Sequence, residues 1–179
     1  MSKLLLLNAA KLQLTLQRLA CQLFETHTNN PNTVLIGLQP RGVFVANRLK
    51  KILQNDSSIN VLVGALDVTF DRDDFRDHKK AQLVPSKTQI NFPIQNKRVI
   101  LVDDVLYTGR TIRAALSALS GFGRPQKVEL LALIDRKYSR DLPIQPDFVG
   151  REVNTIQSQV IRVEWCEQGF EQDAIWLQH

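Results

Sequence analysis

Two adjacent carboxylates, Asp103 and Asp104, directly follow a run of four apolar residues, Val99–Val102. Such a run is typical of a strand that is buried on both faces of a parallel sheet. The carboxylates then stand where the strand leaves the sheet, which is the edge at which open α/β sheets bind their ligands. Since a carboxylate accepts hydrogen bonds from hydroxyl groups, this pair suits the hydroxyls of a ribose.

The turn that follows these carboxylates suits a phosphate group. It reads Thr108-Gly109-Arg110-Thr111 and opens a predicted helix over Ile112–Leu119. Backbone N–H groups at a helix N-terminus, together with hydroxyls, can surround a phosphate. Carboxylates for ribose hydroxyls beside such a turn predict a site for a ribose 5-phosphate group.

A second turn between a strand and a helix carries the sequence Gln39-Pro40-Arg41-Gly42. It joins a predicted buried strand over Thr33–Leu38 to a predicted helix over Val43–Leu53. Backbone N–H groups and the Arg41 guanidinium suit a diphosphate. A trans Gln39–Pro40 bond is the usual form, and the cis form is the alternative to check in the structure.

The rest of the chain alternates between helical and strand patterns. Leucines at three- and four-residue spacing over Leu12–Leu23 form one apolar stripe of a helix from Asn8, its cap, to about His27. Further strands are predicted at Val61–Phe70, Lys127–Asp135, Asp147–Gly150 and Val160–Val163, with an edge strand at Ala174–Leu177. This alternation predicts an α/β fold with a mainly parallel sheet flanked by helices, in one domain over 1–179.

Composition limits the classes of protein that fit. The chain has 179 residues, of which 44% are hydrophobic and 23% charged, as in an ordinary globular domain. No apolar run approaches the roughly 18–20 residues of a membrane span. Cys21 and Cys166 are far apart and have no metal-ligand spacing, so a reduced, cytoplasmic location is expected. The net charge of +5 suits polyanionic small molecules and permits RNA binding.

Three segments resemble a known family. The run from Val99 to Thr111 resembles the phosphoribosyl diphosphate (PRPP) motif of type I phosphoribosyltransferases, and the turn at 39–42 resembles their pyrophosphate loop. The pattern G-x-L-D-x-T-x-x-R-D-D over Gly64–Asp74 is similar to the branch of pyrimidine operon regulators and uracil phosphoribosyltransferases, as are Ile134-Asp135-Arg136 and the residues that follow them. The resemblance runs from about Leu12 to Val163.

This resemblance implies a fold, an activity and roles for particular residues. The fold is a type I phosphoribosyltransferase fold with a small hood, placed at Ile134–Gly150. Asp103 and Asp104 would hold the ribose hydroxyls and Mg²⁺, the metal mostly through PRPP and water. The expected diphosphate contacts are Pro40, Arg41 and Gly42. The expected 5′-phosphate contacts are Val105, Leu106, Tyr107, Thr108, Gly109, Arg110 and Thr111.

A long polar segment, Asp71–Asn91, predicts a loop, and long loops in compact domains are usually functional or disordered. By resemblance, its part up to Lys87 closes over bound PRPP, with Arg72 in the catalytic set as a diphosphate contact. Four further basic residues, Arg76, Lys79, Lys80 and Lys87, either add positive charge there or belong to a solvated loop.

The nucleobase is less well determined. By resemblance, Arg136 is a candidate neighbour of the base, and uracil, giving UMP and diphosphate, is the favoured substrate. Where the family pattern is Asp-Arg-Gly-His-Arg-Glu-Leu-Pro, this chain has Asp135-Arg136-Lys137-Tyr138-Ser139-Arg140-Asp141-Leu142-Pro143. The glycine and histidine are absent and one residue is added, so a purine or another pyrimidine stays open as the substrate.

The resemblance implies a homodimer or a larger homo-oligomer. Two other functions are alternatives to the transferase. One is an RNA-binding transcriptional attenuator of pyrimidine genes that senses UMP or PRPP. Its candidate phosphate contacts are Arg18, Lys137, Arg140 and Arg151. The other is a sensor that binds a nucleotide without turnover. The set of Asp103, Asp104, Arg41 and Arg72 argues against it, since a sensor does not need a closing loop.

Overall fold

The computed structural model describes residues 3–27, 32–57, 60–69 and 86–179. Its strands are β1 (Lys3–Leu7), β2 (Thr33–Leu38), β3 (Leu62–Leu66), β4 (Arg98–Leu106), β5 (Lys127–Lys137), β6 (Phe148–Asn154), β7 (Val160–Glu164) and β8 (Ala174–Gln178). Its α-helices are α1 (Ala9–His27), α2 (Gly42–Ser57) and α3 (Arg110–Leu119). Among the described residues, no helix is both long enough and apolar enough to cross a bilayer.

A five-stranded sheet in the order β3-β2-β4-β5-β6 forms the centre of the fold. All four neighbouring pairs are parallel, which confirms the predicted α/β fold. The connection through α2 leads from β2 to β3, and the connection through α3 leads from β4 to β5 in the opposite direction. A crevice therefore opens between the carboxyl ends of β2 and β4, at the point where the strand order reverses.

Side chains of the central strands alternate between two cores. Leu35, Ile100 and Val102 belong to the core that contains α1 and α2, whereas Ile36 and Leu101 belong to the core that contains α3. Because both faces of the sheet are covered, successive residues of a strand are all apolar. This explains the continuous apolar run before the two carboxylates.

The first helix forms as its sequence predicts. The Asn8 side-chain oxygen accepts a hydrogen bond from the Lys11 backbone N–H at 2.9 Å, which is the expected N-cap. The stripe from Leu12 to Leu23 is buried at each of its four leucines. Burial of this stripe against the sheet and α2 stabilises the helix more than its intrinsic propensity does.

A second, antiparallel sheet has the order β1-β8-β7. The strand predicted as an edge at Ala174–Leu177 is therefore the central strand, because the apolar N-terminal segment pairs with its free side as β1. Trp165 and Ile175 are fully buried and join the core that contains α1 and α2. The small sheet thus packs against the helical layer on one side of the main sheet.

The segment predicted as the hood, Ile134–Gly150, begins and ends in strands of the main sheet. Its two ends belong to β5 and β6 of the main sheet, and its middle connects these strands. The reason is the apolar run Leu130–Ile134, which is buried throughout and continues β5 to Lys137. Strand β7 of the small sheet contributes Val160 and Ile161 to the wall of the crevice.

Arg48 of α2 links the helical layer to the small sheet. Its guanidinium contacts Glu167 at 2.7 Å and Asp173 at 2.5 Å, and lies 4.6 Å from the centre of the Trp165 ring. These partners raise the pKa of Arg48 against the effect of its burial, and they lower the pKa values of both carboxyl groups. The ion pairs therefore favour the docked arrangement.

The strand predicted over Val61–Phe70 ends at Leu66. The reason is Asp67, whose carboxylate accepts hydrogen bonds from the backbone N–H groups of Thr69, at 2.9 Å, and Ser86. Gln89 pairs with Ala65 through two backbone hydrogen bonds, so the last part of the predicted loop is attached to β3. The predicted loop residues Arg72, Arg76, Lys79 and Lys80 lie outside the described residues.

Candidate active site

A cleft of about 260 Å³ lies at the carboxyl ends of β2 and β4. It brings together most of the residues predicted for the site: Pro40, Arg41, Asp103, Asp104, Val105, Tyr107, Thr108, Gly109, Thr111 and Arg136. Gln39, Val160 and Ile161 also line it and were not predicted. The alternation of β7 predicted a strand, but no sequence signal placed that strand beside β4.

Three predicted residues lie behind the cleft rather than on its wall. Leu106 is buried with 1% of its surface exposed. Arg110 forms an ion pair with Asp141 at 3.0 Å. Gly42 packs against the backbone of β4. The side chains of Leu106 and Arg110 therefore support the turn. If these residues contact a phosphate, they do so through their backbone N–H groups.

The two carboxylates differ in their surroundings. Asp104 is buried, and its Oδ2 lies 2.6 Å from Nε of Arg41. Asp103 is partly exposed, and its Oδ1 accepts a hydrogen bond from the Asp104 backbone N–H at 3.0 Å. The Val105 backbone N–H donates to Asp104 Oδ1 at 2.9 Å. Both residues line the cleft, and Asp104 is in addition paired with a cation.

Burial raises the affinity of both carboxylates for protons. Burial, and then the charge of Asp104, raise the pKa of Asp103 to about 8. Burial also raises the pKa of Asp104, and the Arg41 guanidinium opposes this rise. In the free protein the pair therefore retains a proton near neutral pH. A bound cation would favour its release, because it stabilises the ionised form.

The turn after β2 approaches the end of β4 very closely. The Gln39–Pro40 peptide bond is cis, and the Gln39 N–H donates to the Leu66 carbonyl at 2.9 Å. A Cβ atom at Gly42 would lie 2.2 Å from the Val102 carbonyl oxygen. Only glycine fits this approach. The approach places Arg41 beside Asp104.

The turn after β4 begins α3 with a left-handed residue. Gly109 has φ of 90° and caps the helix. The Arg113 N–H donates to its carbonyl at 3.0 Å, which starts the helical hydrogen bonding. Thr108, Gly109 and Thr111 line the cleft, so the N-terminus of α3 lies at the cleft wall, as an anion site at a helix N-terminus requires.

Arg136 takes part in the wall of the cleft. Its guanidinium lies 3.8 Å from the centre of the Tyr107 ring. Its Nε donates to Thr155 Oγ1 at 3.0 Å and its Nη2 donates to the Gln159 carbonyl at 2.9 Å. Burial lowers the pKa of this side chain, which is 5% exposed. Arg136 thus connects the turn after β4 to the segment that leads into Val160.

The four basic residues predicted as RNA contacts all have partners within the chain. Arg18 donates to the Val149 carbonyl at 3.1 Å, Lys137 contacts Glu152 at 2.8 Å, and Arg151 donates to the Leu6 carbonyl. Arg140 contacts Asp135 and several backbone carbonyls. Sequence alone could not show this, since positive charge does not reveal which side chains have partners within the chain. Arg18 and Arg151 are nevertheless exposed.

The turn that departs from the family pattern contains a left-handed residue. Tyr138 has φ of 61° and is 91% exposed. The family pattern has a glycine in this turn, and glycine adopts such angles without strain. This chain adopts the αL conformation at a tyrosine, at a conformational cost of about 1 kcal/mol.

Comparison with known proteins identifies the class. The family model described as the phosphoribosyl transferase domain matches residues 6–168. The chain therefore belongs to the phosphoribosyltransferase family, which agrees with the cleft, the paired carboxylates and the α/β fold.

Comparison with individual relatives places the chain among the PyrR proteins of this family. The bifunctional protein PyrR of Desulfosudis oleivorans is 46% identical over 169 residues, covering 94% of this chain and 92% of the relative. The bifunctional protein PyrR of Synechocystis sp. is 44% identical over 158 residues, covering 88% and 87%.

Solved structures support the fold. A hypoxanthine phosphoribosyltransferase from Staphylococcus aureus has a TM-score of 0.67 at 19% identity, covering 88% of this chain and 81% of that one. A hypoxanthine-guanine phosphoribosyltransferase from Bacillus anthracis has a TM-score of 0.64 at 20% identity, covering 84% and 82%. At such identity the likeness shows the architecture alone.

Proposed function

We propose that the protein transfers ribose 5-phosphate from PRPP to uracil, giving UMP and diphosphate. The observation that carries this proposal is the meeting of three features in one cleft: the pair Asp103 and Asp104, the Arg41 turn, and the turn that begins α3. Their positions match the three parts of PRPP, which are the ribose hydroxyls, the diphosphate and the 5′-phosphate.

The reaction breaks the bond between the anomeric carbon and the diphosphate. Negative charge grows on the leaving group and positive charge grows on the ribose ring. Arg41 and the backbone of its turn would stabilise the diphosphate, and Arg72 is proposed to assist. Asp103 and Asp104 would hold the ribose hydroxyls and offset the positive ring. Such preorganised charges favour the transition state more than the ground state.

The carboxylate pair also fits Mg²⁺ held with its substrate. Among the described residues, no cluster of three or more histidine, cysteine, aspartate or glutamate side chains could hold a metal. Mg²⁺ usually keeps several waters and binds through one or two carboxylates plus substrate phosphates, which agrees with Asp103 and Asp104. When bound, Mg²⁺ neutralises charge on the diphosphate.

We propose that the base lies in the part of the cleft between Tyr107 and the two aliphatic residues of β7. Tyr107, stacked on Arg136, forms one side, and Val160 and Ile161 form the other. A planar base fits between an aromatic ring and aliphatic side chains. Uracil is preferred because the chain resembles the pyrimidine branch, and a purine base is the alternative that the structural neighbours raise.

Diphosphate release tests the activity and the base together. Purified protein is given PRPP and Mg²⁺ with uracil, hypoxanthine, guanine, xanthine, adenine or orotate, and diphosphate is measured. We expect turnover with uracil. Turnover only with a purine would retain the PRPP chemistry and refute uracil. Binding of UMP without turnover on any base would refute the enzyme proposal in favour of a sensor.

RNA binding is the second candidate function. Its support is that the PyrR relatives are described as bifunctional and that this chain has a net charge of +5. Arg18 and Arg151 are exposed although each donates to a backbone carbonyl, whereas Arg140 is directed toward Asp135 and several carbonyls, so Arg18 and Arg151 are the better candidates for phosphate contacts. Titration with a hairpin RNA at two salt concentrations tests this. Affinity that does not fall with salt would contradict it.

We propose that residues 1–179 act as one cytoplasmic domain, and that copies associate as a homodimer or larger homo-oligomer. The Arg48 ion pairs and the shared core support the single domain, because they join the small sheet to the main one. Sedimentation of the purified protein tests the association. A monomer at micromolar concentration would contradict it.

A further inference from the structure

Arg140 is not part of the cleft wall, and it contacts the backbone of the turn after β4. We call this turn, residues 106–109, the phosphate turn. Its Nη1 donates to the carbonyl oxygens of Tyr107 and, at 3.4 Å, Leu106. The same nitrogen lies 3.1 Å from the Arg136 carbonyl, and Nε donates to the Ile144 carbonyl at 3.0 Å. One guanidinium thus joins the turn after β4 to the connection between β5 and β6.

A buried carboxylate fixes this guanidinium in place. Nη2 of Arg140 forms an ion pair with Asp135, whose side chain is 4% exposed, while the Arg140 side chain is 21% exposed. Asp135 is paired with Leu106 in the register of β5 and β4. Because both the carboxylate and its backbone belong to the main sheet, Arg140 is oriented by a rigid element.

The residues after Arg140 bind the next carbonyl of the turn. The Thr108 carbonyl accepts hydrogen bonds from the backbone N–H groups of Asp141, at 3.0 Å, and Leu142, at 3.3 Å. Three successive carbonyls, those of Leu106, Tyr107 and Thr108, therefore receive donors from residues 140–142. We call these residues the backing segment.

The backing segment determines where the N–H groups of the turn point. In a planar trans peptide unit, the C=O and the N–H point in opposite directions. Carbonyls directed toward the backing segment leave the N–H groups of Tyr107, Thr108 and Gly109 directed away from it. These three residues line the cleft. The result is a row of N–H groups arranged to receive an anion.

We infer that Arg140 is a positioning residue for 5′-phosphate binding, which it favours by holding the carbonyls of the phosphate turn away from the ligand. This inference rests on the proposed function of the cleft. It also gives Arg140 a role different from the RNA contact predicted from its charge. Without the guanidinium, the peptide units after Leu106 and Tyr107 lose the donor that fixes their orientation.

Binding of two different ligands distinguishes this positioning role from a general effect of Arg140 on folding. Ribose 5-phosphate uses the turn after β4, whereas diphosphate with Mg²⁺ uses the Arg41 turn. Affinities for both are measured by calorimetry for the wild type, Arg140→Met, Arg140→Lys and the control Arg124→Met. Arg124 is an exposed arginine just before β5, at the opposite end of the sheet.

We expect Arg140→Met to bind ribose 5-phosphate on the order of 10- to 100-fold more weakly, because misplaced groups cost about this much. Diphosphate binding should change less than about twofold. Arg140→Lys should be intermediate, since it keeps the charge but has no planar fork of donors. Arg124→Met should match the wild type for both ligands.

Unchanged ribose 5-phosphate binding in Arg140→Met would overturn the inference while the proposed function stands. An equal loss of both ligands would also overturn it, because it would indicate a general structural role. If Arg140→Met does not fold, the test uses Arg140→Lys. A loss of affinity for ribose 5-phosphate that exceeds the loss for diphosphate supports the inference, and equal losses overturn it. A wild type that binds neither ligand would refute the proposed function and the inference with it.

Discussion

At the scale of single residues, the two neighbouring carboxylates have different surroundings. Asp104 is buried against Arg41, so it orients the guanidinium that would face the diphosphate. The Asp103 carboxylate accepts a hydrogen bond from the Asp104 backbone N–H and faces the cleft. We therefore expect substitutions at the two positions to have different effects.

Asp104→Asn should leave the fold intact and lower the rate of transfer by about 100-fold or more, because a neutral amide pairs more weakly with Arg41 and has no negative charge to offset the positive ribose ring. The measurement is kcat and KM for PRPP, with Asp56→Asn on the exposed end of α2 as the control. A rate equal to the wild type would remove Asp104 from the mechanism.

Asp103 should make the free protein less stable as pH rises. Its pKa is about 8 in the folded state, against 3.8 for an ordinary aspartate, so the folded state binds the extra proton between these values. The free energy of unfolding then falls from about pH 4 to about pH 8. Asp103→Asn removes this dependence and should unfold at a higher temperature than the wild type at pH 8, although it transfers poorly.

Thermal unfolding of both proteins at pH 5 and pH 8, without PRPP or Mg²⁺, checks this. The comparison cancels the contribution of His27, whose pKa is lowered by burial and whose effect has the opposite sign. The same pH dependence in both proteins would show that Asp103 does not hold the proton.

Motif residues could be predicted from sequence, whereas inward-facing charges could not. Asp103, Asp104 and Arg41 lie where the order of residue types indicates, because a strand end and a helix start fix their positions. Arg136 and Arg140 are bound by carbonyls from distant segments. Such partners depend on tertiary packing, which a charge pattern along the chain does not contain.

At the scale of elements, the Arg41 turn depends on its contact with β4. Gly42→Ala would place a Cβ atom 2.2 Å from the Val102 carbonyl, so the turn or the strand must move. We expect a loss of stability of about 1–3 kcal/mol, as for overpacking, and weaker diphosphate binding. Denaturant unfolding and calorimetry measure the two effects.

Gly121→Ala is the matched control for this substitution, since nothing lies within 4 Å of a Cβ atom there. It should change stability by no more than about 0.5 kcal/mol. Equal behaviour of the two variants would show that the close approach to β4 is not required.

Elements with strong periodicity could be predicted, and their pairing partners could not. The stripe of α1 and the apolar run of β4 indicate their own burial. The partner of β8 is β1, which lies at the other end of the chain. Pairing over such a distance depends on the closed core, so an edge strand was predicted where a central strand exists.

At the scale of the whole molecule, the Arg48 cluster should hold the two sheets together. Arg48→Met leaves Glu167 and Asp173 without their cation, and we expect a loss of about 1–3 kcal/mol, because the guanidinium is 19% exposed and only part of the charge is desolvated. For a chain of this size, each kcal/mol lowers the melting temperature by about 2–4 °C.

Lys51→Met, an exposed cation on the same helix, is the control and should unfold like the wild type. A single transition in both variants agrees with one domain. Two separate transitions in the wild type would contradict the single domain, and unchanged stability of Arg48→Met would contradict the role of the cluster.

The central claim is transfer of ribose 5-phosphate to a pyrimidine base, and conversion of labelled uracil to UMP tests it most directly. Wild type and Asp104→Asn are incubated with PRPP and Mg²⁺, and labelled UMP is separated and counted. We expect the wild type to form UMP and Asp104→Asn to form it about 100-fold more slowly. No labelled UMP from a folded wild type that binds PRPP would contradict the account.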